Sequence, residues 1–115
     1  MKVLVCGDRN WTGWAAIHRE LERLPPGTTI IHGAAYGADF IAGITGVRLG
    51  FTVKAVPAEW DTFGKAAGPI RNRWMLKMEP DLVLAFHNDI RRSKGTANMV
   101  AIARKEGIEV KLFED

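Results

Sequence analysis

Thr28–Asp39 reads TTIIHGAAYGAD. The first five residues are short, apolar and rich in β-branched side chains, as a strand buried on both faces is. Gly33 and Gly37 then turn the chain. Asp39 opens a stretch in which Phe40, Ile41, Ile44 and Val47 recur at helical spacing. The glycines either make a turn or let a backbone approach a bound ligand. A strand that passes through glycines into a helix start also leaves backbone N–H groups pointing outward, where an anion can sit. The stretch matches neither G-x-G-x-x-G nor G-x-x-x-x-G-K-[ST], so it is not a dinucleotide fingerprint or a P-loop.

The same rhythm runs through the chain. Apolar runs at Lys2–Cys6, Thr28–His32, Thr52–Val56, Asp81–Phe86 and Ile108–Phe113 alternate with helical patterns. Trp14, Ile17, Leu21 and Leu24 mark the first helix, and Ile70, Trp74 and Met78 the third. Gly95–Glu106 is alanine-rich, and Gly107 follows as its stop. Alternation of this kind means an α/β fold: a parallel sheet covered on both faces, a Rossmann-like three-layer αβα sandwich. The first, second and fourth runs are apolar nearly throughout. TVKAV and IEVKLF carry charge, as edge strands do. Edges at the third and fifth strands give the order 3-2-1-4-5, with a switch point between the first and fourth, beside which such sheets bind ligands.

The length of 115 residues suits one domain spanning 1–115, and 47% hydrophobic with 25% charged residues is ordinary for a globular chain. No apolar run approaches the ~20 residues that span a bilayer. The amino-terminal apolar run is too short for a signal peptide, so a cytoplasmic location is expected. A single cysteine, Cys6, forms no internal disulfide or cysteine cluster and reads as a small buried residue. His18, His32 and His87 are scattered, so no metal site and no cofactor are expected. The net charge of +3 is compatible with anionic ligands without requiring nucleic acid.

Four loops leave the carboxyl edge of the expected sheet: Gly7–Thr12, His32–Gly37, Pro57–Gly68 and His87–Lys94. In the first, Gly7 permits a tight exit. Asp8 suits ribose hydroxyls and Arg9 a phosphate, or the three make an ordinary turn. In the second, Asp39 either complements the helix dipole or holds a ligand hydroxyl or an arginine. His32 reads as a packed, hydrogen-bonded residue. In the third, Pro69 suits the first position of a helix, which puts Arg71 and Asn72 in its first turn. Gly64 and Gly68 around Lys65 suit a mobile flap, and Trp60 and Phe63 either stack on a base or anchor the loop. Arg73 and Lys77 share a solvated face. In the fourth, Ser93, Gly95 and Thr96 form a phosphate cradle, an N-cap, or both.

HGAAYGAD, PAEW, GKAAGPIRNRWM, DLVLAF and SKGTANM, in this order, resemble the YspA-like branch of the SLOG superfamily over nearly the whole chain. Its relatives are the Lonely-Guy phosphoribohydrolases and the DNA-processing protein DprA. The resemblance implies a Rossmann-like domain for nucleotides or nucleotide-derived ligands. Lonely-Guy enzymes pair a glycine-rich first motif with P-G-G-x-G-T-x-x-E. Gly33, Gly37 and Asp39 fall in the first motif, and Gly95 and Thr96 match the G-T. Arg71 takes the place of an arginine near the glycosidic bond. Met99 stands where the glutamate would be, and the Pro-Gly-Gly is replaced around Arg92-Ser93-Lys94. Hydrolysis would therefore need another group, with Arg71 and the carboxylates Asp8, Asp39, Glu59 and Asp61 as catalytic candidates.

The leading expectation is a domain that senses or sequesters a nucleotide-derived phosphorylated ligand. Its binding residues would be Gly7, Asp8, Arg9, Gly33, Gly37, Asp39, Lys65, Arg71, Asn72, Ser93, Gly95 and Thr96. The alternatives are phosphoribohydrolase-type cleavage of an N-glycosidic bond and single-stranded nucleic-acid binding. The last would use Arg71, Arg73, Lys77, Arg91, Arg92 and Lys94, with Trp11 or Trp60 stacking on bases. Four tryptophans on so small a domain, and the dimers formed by Lonely-Guy relatives, point to a homo-oligomer.

Overall fold

The structure is a computed structural model that describes residues 1–114. Five strands form one sheet: β1 Lys2–Gly7, β2 Thr29–His32, β3 Thr52–Ala55, β4 Leu82–Phe86 and β5 Glu109–Phe113. Their order is β3-β2-β1-β4-β5 and every pairing is parallel, as the sequence implies. The helices are α1 Trp14–Glu22, α2 Ala38–Arg48, α3 Trp60–Phe63, α4 Ala67–Lys77 and α5 Gly95–Lys105.

Alternation along the strands builds two cores. Val3, Val5, Ile30, Leu84 and Phe86 point to one face and pack with Ile17 and Leu21 of α1 and Ile41 of α2. Leu4, Cys6, Ile31, Val83 and Ala85 point to the other and pack with Met75 of α4 and Met99, Val100 and Ala103 of α5. Each fully buried Leu, Ile or Val contributes about 1.5–3 kcal/mol, so the fully apolar central strands are the main source of stability. The edge strands carry Lys54, Glu109 and Lys111 exposed, which discourages pairing with another sheet.

The segment Pro57–Gly68 differs from the sequence-based expectation. It is not a flap. Trp60–Phe63 forms a helical turn, Gly64–Ala66 a 3-10 turn, and α4 begins at Ala67. Pro69 is thus the third residue of α4, not the first, and Arg71 lies in its second turn. Proline is still tolerated there, because the first four N–H groups of a helix have no partner within it. Ala67 and Gly68 are buried, so small residues let this start pack tightly. The aromatics anchor the segment: Phe63 meets Trp74 edge-on at 6.0 Å, and the Trp60 ring lies over Gly68.

Gly37, just before α2, has φ 71° and ψ −124°. A side-chain carbon there would overlap the backbone of Asp8 and Arg9. Gly107, after α5, has φ 76° but open space around it. The two therefore separate conformational strain from collision. Gly107→Ala should cost about 1 kcal/mol, while Gly37→Ala should cost about 3 kcal/mol or more. Urea denaturation of both variants checks this, and equal losses would contradict it.

Candidate functional site

The loop between β2 and α2 is folded around two buried side chains. His32 Nδ1 accepts the Ala34 N–H at 2.9 Å. Asp39, the second residue of α2 and only 5% exposed, accepts the N–H groups of Gly33 at 3.0 Å and Ala35 at 3.3 Å, both on Oδ2. Asp39 therefore organises its own loop. Burial pushes its carboxyl up to about 6, against the amide bonds and the Arg71 charge, which pull it down.

Arg71 reaches across from α4. Its Nη1 donates to the Gly33 carbonyl, and its Nε donates to Asn72 Oδ1 at 3.0 Å. A side chain on Gly33 would overlap the guanidinium, so the glycine is what lets Arg71 lie there. Burial lowers the Arg71 pKa, opposed by the Asp39 carboxylate. The Arg71 charge adds to burial in lowering the His32 pKa.

Asn72 is 3% exposed and extends the chain of bonds. Its Nδ2 donates to the Gly95 carbonyl at 3.2 Å and to Asn98 Oδ1 at 3.0 Å. A continuous path thus runs from Asp39 through Gly33, Arg71 and Asn72 to the start of α5, tying together both helical layers. Asn98 carried no signal in the sequence; only the packing of α4 on α5 shows its part.

Most other expected residues hold the protein's own chain. Gly7 sits so close to the Phe86 carbonyl and the Ala38 methyl that no side chain fits. Asp8 Oδ1 accepts the Asn10 N–H at 2.9 Å in its own turn, and the Asp8 carbonyl accepts the Ala38 N–H at 3.1 Å. Ser93 Oγ accepts the N–H groups of Thr96 at 2.9 Å and Ala97 at 3.2 Å, which makes it the cap of α5. Thr96 is buried. Arg9, Glu59, Asp61, Lys65 and Gly95 are exposed. Met99 is fully buried, so the place of the motif glutamate lies inside the apolar core. Burial and the Asp39 charge push the Cys6 thiol up, which keeps it protonated.

Two recesses open elsewhere. One of about 350 Å³ lies between α2 and β3, lined by His32, Ala34, Ala35, Phe40 and neighbouring apolar residues. Another of about 640 Å³ lies between α1 and α2 near Trp14, His18 and Arg48. Neither contains Arg71, Asn72 or Gly95.

Residues 1–63 match the model of the YspA, cpYpsA-related SLOG family. Gene 61 protein of Mycobacterium phage D29 is 38% identical over 123 residues, covering 99% of this chain and 97% of that protein. The chain belongs to this SLOG family. The family match spans β1 to α3. Arg71, Asn72 and the start of α5 lie beyond it, within the region shared with the phage protein. DNA processing protein A (DprA) from Streptococcus pneumoniae has the same fold, with a TM-score of 0.81 at 22% identity over 96% of this chain. The chain spans about half of that protein, 49% of its length. Among the described residues no helix is long and apolar enough to cross a membrane.

Because folding raises the Asp39 carboxyl from its ordinary 3.8 to about 6, its contribution is largest below pH 3.8 and is lost as pH rises through about 6. The stability of the wild type relative to Asp39→Asn should therefore fall by roughly 2–3 kcal/mol between pH 4 and pH 8. Urea denaturation at both pH values checks this. A constant difference would contradict it.

Proposed function

We propose that the protein binds a nucleotide or another nucleotide-derived phosphorylated ligand at the carboxyl edge of the sheet, as a sensing or sequestering domain. One observation carries the reading. Arg71 is partly buried and held by two hydrogen bonds, yet no carboxylate oxygen among the described residues lies within 4 Å of its nitrogens. A guanidinium has five N–H donors in a planar fork, so those not used on Gly33 and Asn72 remain for an anion. A fixed, desolvated positive charge without an ion pair is costly unless something negative completes it.

The surroundings favour the β2–α2 side for that anion. The N–H groups of Asp39 and Phe40, which open α2, donate to no group among the described residues. At the start of α5 the Ser93 hydroxyl already occupies two amides. Helix amides and an arginine together suit a phosphate.

No comparable observation favours the alternatives. For hydrolysis, the glutamate position is the buried Met99, Asp39 is engaged by backbone amides, and Asp8 holds its own turn. For single-stranded nucleic acid, Arg91 and Arg92 both lean on Asp89, at 3.2 and 3.6 Å, which weakens the basic track. The likeness to DNA processing protein A bears on the fold. A cytoplasmic, self-associating protein is part of the same proposal, the self-association supported by the exposed Trp14, Tyr36, Phe40 and Val47 on the α1–α2 side.

Thermal denaturation with AMP, ADP and ADP-ribose at millimolar concentration tests the reading. A ligand at 100-fold excess over its Kd stabilises by about 2.7 kcal/mol, so the melting temperature should rise by several degrees. Arg71→Gln should lose the shift while remaining folded. No shift across the panel would contradict the proposal.

A further inference from the structure

We propose that anion capture at Arg71 is coupled to protonation of Asp39, so that the site takes up a proton as it takes up its ligand. The inference rests on the anion-binding reading of Arg71 and adds a second, titratable partner to it.

The geometry is one residue gripped from two sides. The Gly33 N–H donates to Asp39 Oδ2 at 3.0 Å, and the Gly33 carbonyl accepts from Arg71 Nη1. The positive charge above the glycine favours the carboxylate below it. An anion seated on Arg71 cancels that help and adds a negative charge nearby, so the carboxylate gains affinity for a proton. Reciprocity requires the converse: a neutral Asp39 leaves Arg71 unopposed, and the anion binds more tightly. The loop can survive the change. Both loop amides rest on Oδ2, which leaves Oδ1 to receive a proton from solvent. The coupling is thus electrostatic and needs no unfolding of the loop. Burial has already brought this carboxyl to about 6, within reach of neutral pH.

The other groups around Asp39 do not supply the effect. Cys6 on β1 is a thiol that burial keeps protonated. His32 on β2 is pushed down by burial and by Arg71, so it titrates below its usual range. Asp8, in the loop after β1, is turned to the Asn10 amide. Lys54 on β3 is exposed and pairs in register with Ile31, which faces the other helical layer. His18, Arg19 and Glu22 of α1 line the groove beside Thr45 and Arg48, towards the far end of α2.

Sulfate is the probe, because it keeps both charges across the pH range whereas phosphate itself titrates. Carbon-13 NMR of the aspartate carboxyls is followed from pH 4 to pH 8 with and without sulfate, while the Arg71 Nε–H signal reports occupancy. The expected result is a shifted Arg71 signal and an Asp39 midpoint raised by at least about one unit, since each charge at ~8 Å is worth ~1.5 units at an effective dielectric of ~20. In Asp39→Asn, sulfate should bind with little pH dependence, and His32→Gln should keep the dependence. An Arg71 signal that moves while the Asp39 midpoint stays overturns the coupling and leaves the anion site standing. Dependence that persists in Asp39→Asn and vanishes in His32→Gln assigns the proton to His32 and also overturns it. An Arg71 signal that sulfate never moves removes the anion site and the coupling with it.

Discussion

Gly33 has no side chain, and the site is arranged around that gap. On one side a buried carboxylate holds its amide; on the other a guanidinium holds its carbonyl and lies where a side chain would be. Asp39 belongs to the helical layer on one face of the sheet and Arg71 to the layer on the other. The residue between them is therefore where the two layers meet above the strand ends. Asn72 carries the connection on to Gly95 and Asn98, so the start of α5 is set by the same contacts. Preorganisation of this kind fixes a charge before any ligand arrives, which lowers the ordering cost of binding.

The fold was largely legible in the residues. Strands apolar throughout had to be central, and strands broken by Lys54 or by Glu109 and Lys111 had to be edges. The observed strands agree with the expected runs to within one residue at each end. The region before α4 was not legible, because Gly64, Gly68 and Pro69 signal a break in isolation. Packing of Phe63 on Trp74 and of Trp60 over Gly68 overrides that signal. The glycines show the same limit. Gly7, Gly33 and Gly37 are indeed sites of close approach, but what approaches is the chain itself: Phe86, Arg71, and the backbone of Asp8 and Arg9. Those partners come from segments remote in sequence, and local pattern cannot name them. In sequence Asp39 suits a helix dipole, a ligand hydroxyl or an arginine, and its bonds to Gly33 and Ala35 depend on how the loop curls.

Membership of the SLOG family and the shared fold with DNA processing protein A set the scaffold, and the scaffold alone does not set the chemistry. The distinctive feature of this chain is where its charges fall. Met99, where the Lonely-Guy resemblance would place a glutamate, lies inside the core, while a carboxylate and a guanidinium flank one glycine. That arrangement suits holding an anion better than activating water, since the nearby carboxylate is buried and two backbone amides fix its Oδ2.

The central claim is that Arg71 is an unpaired positive charge awaiting a negative group. A crystal structure of the protein soaked with AMP tests it most directly. The account predicts phosphate oxygens within hydrogen-bonding distance of the Arg71 guanidinium, on the side of the β2–α2 loop. Phosphate found only on the exposed Arg91, Arg92 and Lys94, with the Arg71 guanidinium untouched, would contradict it.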